Sequence, residues 1–171
     1  MKTVVLKKKH LGMAVMMASL KGSARAVKFL LKNGADADAP AVGVGVKAIL
    51  VAATSGNVEV GKALLENGAD PNARDTDTDL TPMMIAAAKG HDEFIRLLLQ
   101  NGADINGTTS DGYTALMIAA ASGHYLTVRL LIREKAELNL KSNRQWTALR
   151  YAHERGHLNV CRILKEAGAE E

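Results

Sequence analysis

Aromatic side chains are scarce, at 4% of 171 residues, and Trp146 is the single tryptophan. With 47% hydrophobic residues, the core must then be aliphatic and alanine-rich. Cysteine is nearly absent: Cys161 stands alone, so no internal disulfide forms and nothing requires an oxidising compartment. It falls on the apolar side of a helical pattern, where a free thiol buries as a small hydrophobe. No apolar run is long enough to span a bilayer, since Leu11 to Leu20 gives only about ten residues. Charge of one sign is also in short supply. The formal balance of +4 rests partly on Lys2, Lys7, Lys8 and Lys9, too little and too local to argue for nucleic acid.

The run from Leu11 to Leu20 behind its lysines has the form of a secretory signal. It also fills the first-helix position of a repeat, and cleavage there would destroy that repeat. The expectation is a cytoplasmic protein without a signal in this stretch; an exported one would carry its signal upstream.

What the chain has in abundance is self-similarity. The stretch Leu80 to Asn106 opens with Thr81-Pro82, a capping residue followed by a proline suited to the first helical position. This predicts a helix over Pro82 to Lys89 ending at Gly90. A second, over Asp92 to Gln100, places Phe94, Ile95, Leu97, Leu98 and Leu99 at helical spacing and ends at Asn101-Gly102. Neither helix is long enough to hold alone, so the unit needs neighbours. Equivalents of Gly90 occur at Gly22, Gly56, Gly123 and Gly156, spaced by 34, 34, 33 and 33 residues. The second turn repeats independently at Asn33 to Asp36, Asn67 to Asp70 and Asn101 to Asp104. It recurs in degraded form at Glu134 to Glu137 and at Ala167 to Glu170. Two landmarks with one period mean a solenoid.

The chain resembles the ankyrin-repeat family, whose repeat of about 33 residues carries a Thr-Pro-Leu-His-x-Ala signature. The matching tetrapeptides begin at Met13, Lys47, Thr81, Thr114 and Thr147. The family histidine is replaced by Met16, Leu50, Met84, Met117 and Arg150, and methionine is expected to pack there as filler. Lys135 stands where glycine would take positive φ, which marks the turn after repeat four as the weakest. The resemblance implies an all-α solenoid of antiparallel helix pairs with projecting β-hairpin or loop fingers. Its repeats fall at about 10–41, 42–75, 76–108, 109–141 and 142–171, preceded by residues 1–9 as a tail or cap extension. The pairs are expected to stack through Ala52-Ala53, Ala86-Ala87 and Ala119-Ala120, at about 8 to 10 Å per repeat, into a curved rod on the order of 50 Å long. Repeats one and five are read as caps.

Three patterns invite an enzymatic or cofactor reading. His153-Glu154-Arg155-Gly156-His157 spells the H-E-x-x-H zinc-hydrolase string, the alternative to a binding role. That chemistry needs both histidines on one continuous helix, yet Gly156 is an inter-helix turn. His91, His124 and His157 share one position in successive repeats, too far apart to meet at one zinc, and read as second-helix starters. Gly43 to Ala48 imitates a dinucleotide fingerprint but has no βαβ setting. Asp75, Asp77 and Asp79 imitate a calcium loop that lacks its glycine and its bidentate glutamate. No cofactor or metal is expected, and no enzyme.

What remains is recognition. The resemblance implies a protein partner held by the concave face, at the finger tips and the exposed ends of first helices, with the protein acting as an adaptor or as the inhibitor of an enzyme. Carried onto this chain, the candidates are Val46; Asp77, Thr78, Leu80 and Lys89; Ser110, Asp111, Tyr113 and Ser122; and Asn143, Arg144, Trp146, Glu154 and Arg155. Tyr113 and Trp146 share one finger position, and Trp, Tyr and Arg are the residues enriched at binding hot spots. The three aspartates of the 75–79 finger against Lys141, Arg144, Arg150 and Arg155 suit a protein of complementary patches better than uniform phosphate. The chain by itself is expected to be a monomer.

Overall fold

A computed structural model describes residues 2–41 and 45–170, with side chains described from residue 11. Among these residues the elements are α1 (Lys2–Leu20), α2 (Ala24–Lys32), α3 (Ala48–Ser55), α4 (Val58–Leu65), α5 (Pro82–Lys89), α6 (Asp92–Gln100), α7 (Ala115–Ala121), α8 (Tyr125–Arg133), α9 (Ala148–Glu154) and α10 (Leu158–Glu166). They form five helix pairs in a solenoid. No strand occurs among the described residues, so the fingers take the loop form. Each later finger is closed by one backbone bond of 3.0 Å: Asp75 N–H to Leu80 O, Thr109 N–H to Tyr113 O, and Ser142 N–H to Trp146 O. Residues 2–9 continue α1.

The threonine caps work without the family's histidine. The hydroxyl oxygens of Thr81, Thr114 and Thr147 accept from the N–H groups of Met84, Met117 and Arg150, which meets one orphan donor in each first turn. Met84 and Met117 are buried as filler, whereas the Arg150 side chain reaches solvent.

First helices stack on first helices, α1 on α3, α3 on α5, α5 on α7 and α7 on α9. They can approach closely because Ala52, Ala53, Ala86, Ala87, Ala119 and Ala120 are wholly buried between them. Second helices place Phe94, Ile95, Leu98, Val128 and Leu131 in their own stack, again fully buried.

The joints between repeats are also polar. At one edge the side-chain oxygens of Asn72, Asn106 and Asn139 accept the N–H groups of Asp104, Glu137 and Glu170 in the following repeat, at 2.8 to 2.9 Å. At the other edge His91, His124 and His157 reach back with Nε2 to the carbonyl oxygens of Thr54, Ala88 and Ala121, at 3.3, 2.9 and 3.1 Å. These histidines do start the second helices, but none caps its helix with the side chain.

Lys135 has φ +63, as expected of a lysine in a glycine position. The turn is weakened twice over. In earlier repeats Asn33, Asn67 and Asn101 donate Nδ2–H to a carbonyl four residues back, at 2.7 to 2.8 Å, and Glu134 has no such donor. Lys135→Gly is therefore expected to stabilise the fold by about 0.5–1 kcal/mol, read as a raised midpoint in thermal or urea unfolding. A lowered midpoint would mean that the left-handed lysine carries no strain.

Candidate partner-binding site

In every finger the residue before the first-helix cap threonine, or before Lys47, follows a left-handed residue. The pairs are Gly45 before Val46, Asp79 before Leu80, Gly112 before Tyr113 and Gln145 before Trp146, with φ from +59 to +77. This kink turns the following side chain inward, and all four are half-buried against the core. Glycine takes the left-handed conformation without penalty; Gln145 carries a cost of about 1 kcal/mol or more.

In the last two repeats this geometry brings three aromatic rings together. Trp146 meets Tyr151 of α9 edge-on, with ring centroids 5.1 Å apart, and Tyr113 lies 5.6 Å from the same ring. Tyr151 is only 7% exposed, and its hydroxyl lies 2.9 Å from Ser142 Oγ. Burial raises its pKa above the ordinary value, an effect that the Ser142 bond opposes. The Arg150 guanidinium stands 5.8 Å from the Trp146 ring and is itself paired with Glu154 at 2.7 Å. Such rings bury area and leave an apolar wall facing outward.

The wall lines a groove of about 210 Å³ between α7, α9 and their fingers. Six of the residues singled out in the sequence line it: Tyr113, Ser122, Arg144, Trp146, Glu154 and Arg155. Met117, Ile118, Ala121 and Tyr151 complete the lining. Tyr151 was missed, although a sign was present: it occupies the position of Ile85 and Ile118 in the preceding repeats.

The other candidates do not enter this groove. Asp77, Thr78 and Lys89 are exposed one repeat earlier, while Val46 and Leu80 pack against the core. Ser110, Asp111 and Asn143 tie the finger tips together. Ser110 N–H donates to Asp79 Oδ2 at 2.6 Å, Asn143 N–H to Asp111 O at 2.9 Å, and Asn143 Nδ2 to Ser110 O at 3.1 Å. The fingers are therefore braced laterally, which holds Tyr113 and Trp146 at a fixed spacing.

The model of the family described as ankyrin repeats (3 copies) matches residues 15–109, 52–143 and 83–171. The chain belongs to the ankyrin-repeat family. Comparison with curated proteins finds no match. Ankyrin repeats are generally protein–protein interaction modules, and the family is typically non-enzymatic.

Within this ankyrin stack the chemical look-alikes take ordinary positions. The H-E-x-x-H string is broken: α9 ends at Glu154, Gly156 turns at φ +73, and His157 starts α10 with its Nε2 on the Ala121 carbonyl. The acidic finger serves itself. Asp75 Oδ1 accepts from Thr78 Oγ1 at 2.7 Å and from the Thr78 N–H at 2.8 Å, and these bonds lower its pKa. Asp79 is held below the ordinary value by the Ser110 N–H and by Arg74, whose Nη1 lies at 2.9 Å. No group of three or more potential metal ligands occurs among the described residues. The imitation dinucleotide fingerprint falls partly on residues 42–44, outside the described residues. Among those described, no helix is long and apolar enough to cross a membrane.

Proposed function

We propose that this ankyrin protein binds a partner protein through the groove of its last two repeats and acts by occupying that partner's surface, as an adaptor or as the inhibitor of an enzyme. The observation that carries the reading is the cluster of Tyr113, Trp146 and Tyr151 around one groove in a chain with so few aromatics. A partner offers an apolar side chain to the ring wall and a carboxylate to the exposed guanidinium groups of Arg144 and Arg155. Burying an apolar anchor among aromatic and Arg residues is how a small part of an interface comes to dominate its affinity. The braced fingers add preorganisation, because little side-chain freedom is lost on docking.

The test is capture of the partner from native extract by wild type, by Trp146→Ala and by Arg144→Glu with Arg155→Glu. Trp146→Ala should weaken binding at least about tenfold, and the charge reversal should weaken it in a salt-dependent way. Trp146 packs on Tyr151, so helical content and melting are recorded for each variant. Capture unchanged in both folded variants would move the interface away from the groove.

A further inference from the structure

We propose that the outer face of the first repeat is a second docking surface, and that its occupant is an amphipathic helix with an apolar ridge and an acidic flank. This face was expected to be a cap, and a capping repeat carries a polar outer surface. Here it is built from interior positions. The residue seven after the inter-helix glycine is Ala63, Leu97 and Leu130 in repeats two to four, each buried, at 0%, 8% and 3% exposure. In repeat one the same position is Phe29, at 66%. The residue eight after that glycine is fully buried as Leu64, Leu98, Leu131 and Leu164, but only half-buried as Leu30. Met17 stands exposed on α1 beside them. Together they line a groove of about 620 Å³ between α1 and α2.

The positions say what shape fits. In later repeats this face receives the helices of the preceding repeat, so the groove is of the kind that a helical ridge fills. A lipid surface has no such ridge to enter a recess.

The charges say what flanks the ridge. Lys21 and Arg25 line the groove. Between Lys21 and Lys32 the chain carries four cations, Lys21, Arg25, Lys28 and Lys32, and no carboxylate. Arg25 stands where repeats two and three have Glu59 and Glu93. A second copy docked face to face would set these cations against each other. An acidic, apolar helix meets both demands.

This proposal is independent of the groove at Trp146. The test uses a labelled synthetic helical peptide with a leucine ridge flanked by glutamates, its lysine-flanked counterpart, and vesicles of phosphatidylserine with phosphatidylcholine. Fluorescence anisotropy should show binding of the glutamate peptide only. That binding should weaken at least about tenfold in Phe29→Asp and in the Lys21→Glu, Arg25→Glu pair, and be retained in Trp146→Ala. Phe29 is exposed, so Phe29→Asp should keep its helical content, and Met17→Asp provides a second reading. The proposal is overturned by no peptide binding, by equal binding of both peptides, or by binding unaffected in the variants. Co-sedimentation with vesicles in place of peptide binding, or a dimer that Phe29→Asp dissolves, would overturn it in favour of a membrane or a second copy.

Discussion

Phe94→Ala is expected to lower folding stability by about 3–5 kcal/mol. Phe94 is fully buried in α6 and fills the space left by Gly61 of the repeat before. A Cβ built on Gly61 would lie 2.5 Å from Phe94 Cε2, 2.9 Å from Cζ and 3.0 Å from Leu97 Cδ2. The two positions form one complementary joint, a missing side chain opposite a large one. In the other repeats the position of Gly61 holds Val27, Ile95, Val128 and Cys161, and that of Phe94 holds Ala26, Val60, Thr127 and Val160. Gly61→Val alone should therefore overpack the joint and cost about 1–3 kcal/mol despite its gain in backbone stiffness. With Phe94→Ala it should refill the void, so the double variant loses less than the sum, by about 1–2 kcal/mol of coupling. Urea unfolding followed by helical circular dichroism measures the cycle. Strict additivity would mean that the two residues do not share a cavity.

Gly123→Ala is expected to cost about 2–3 kcal/mol, against about 1 kcal/mol for Gly156→Ala. Both glycines turn between the helices of a pair at φ +73. The added Cβ at Gly156 meets nothing within 4 Å, so only the left-handed backbone is penalised. At Gly123 the Cβ would stand 2.7 Å from Cε1 and Nδ1 of His157, pushing the ring off the Ala121 carbonyl that it reaches at 3.1 Å. Adding His157→Ala should remove most of the difference between the two sites. Equal losses at Gly123 and Gly156 would show that the histidine tie contributes nothing.

These joints mark where reading the chain succeeds and where it stops. The helices of the central repeat were legible to the residue, because Thr81-Pro82, Gly90 and Asn101-Gly102 fix both ends of both helices by local chemistry. The weak turn at Lys135 was legible for the same reason. The histidine and asparagine ties were not, since each joins groups 30 to 37 residues apart and depends on how neighbouring repeats are set. Sequence position marked His124 as a helix starter; only packing reveals the Ala88 carbonyl that it reaches. The groove was half legible. Tyr113 and Trp146 share a finger position that repetition exposes, whereas Tyr151 lies within a helix at a position that elsewhere is aliphatic. The outer face of repeat one escaped altogether, because terminal repeats were taken as caps and burial position by position was needed to find Phe29 out of place.

The central claim, a partner held in the groove of the last two repeats, is tested most directly by where contact occurs. A photo-crosslinking residue placed at Ser122, exposed in the lining of the groove, is compared in native extract with one at Arg162, exposed on the second helix of the last repeat. The account predicts a discrete crosslinked partner from position 122, lost when Trp146→Ala is added, and none from position 162. The same partner crosslinked from 162 but not from 122, or a crosslink at 122 indifferent to Trp146→Ala, would contradict it.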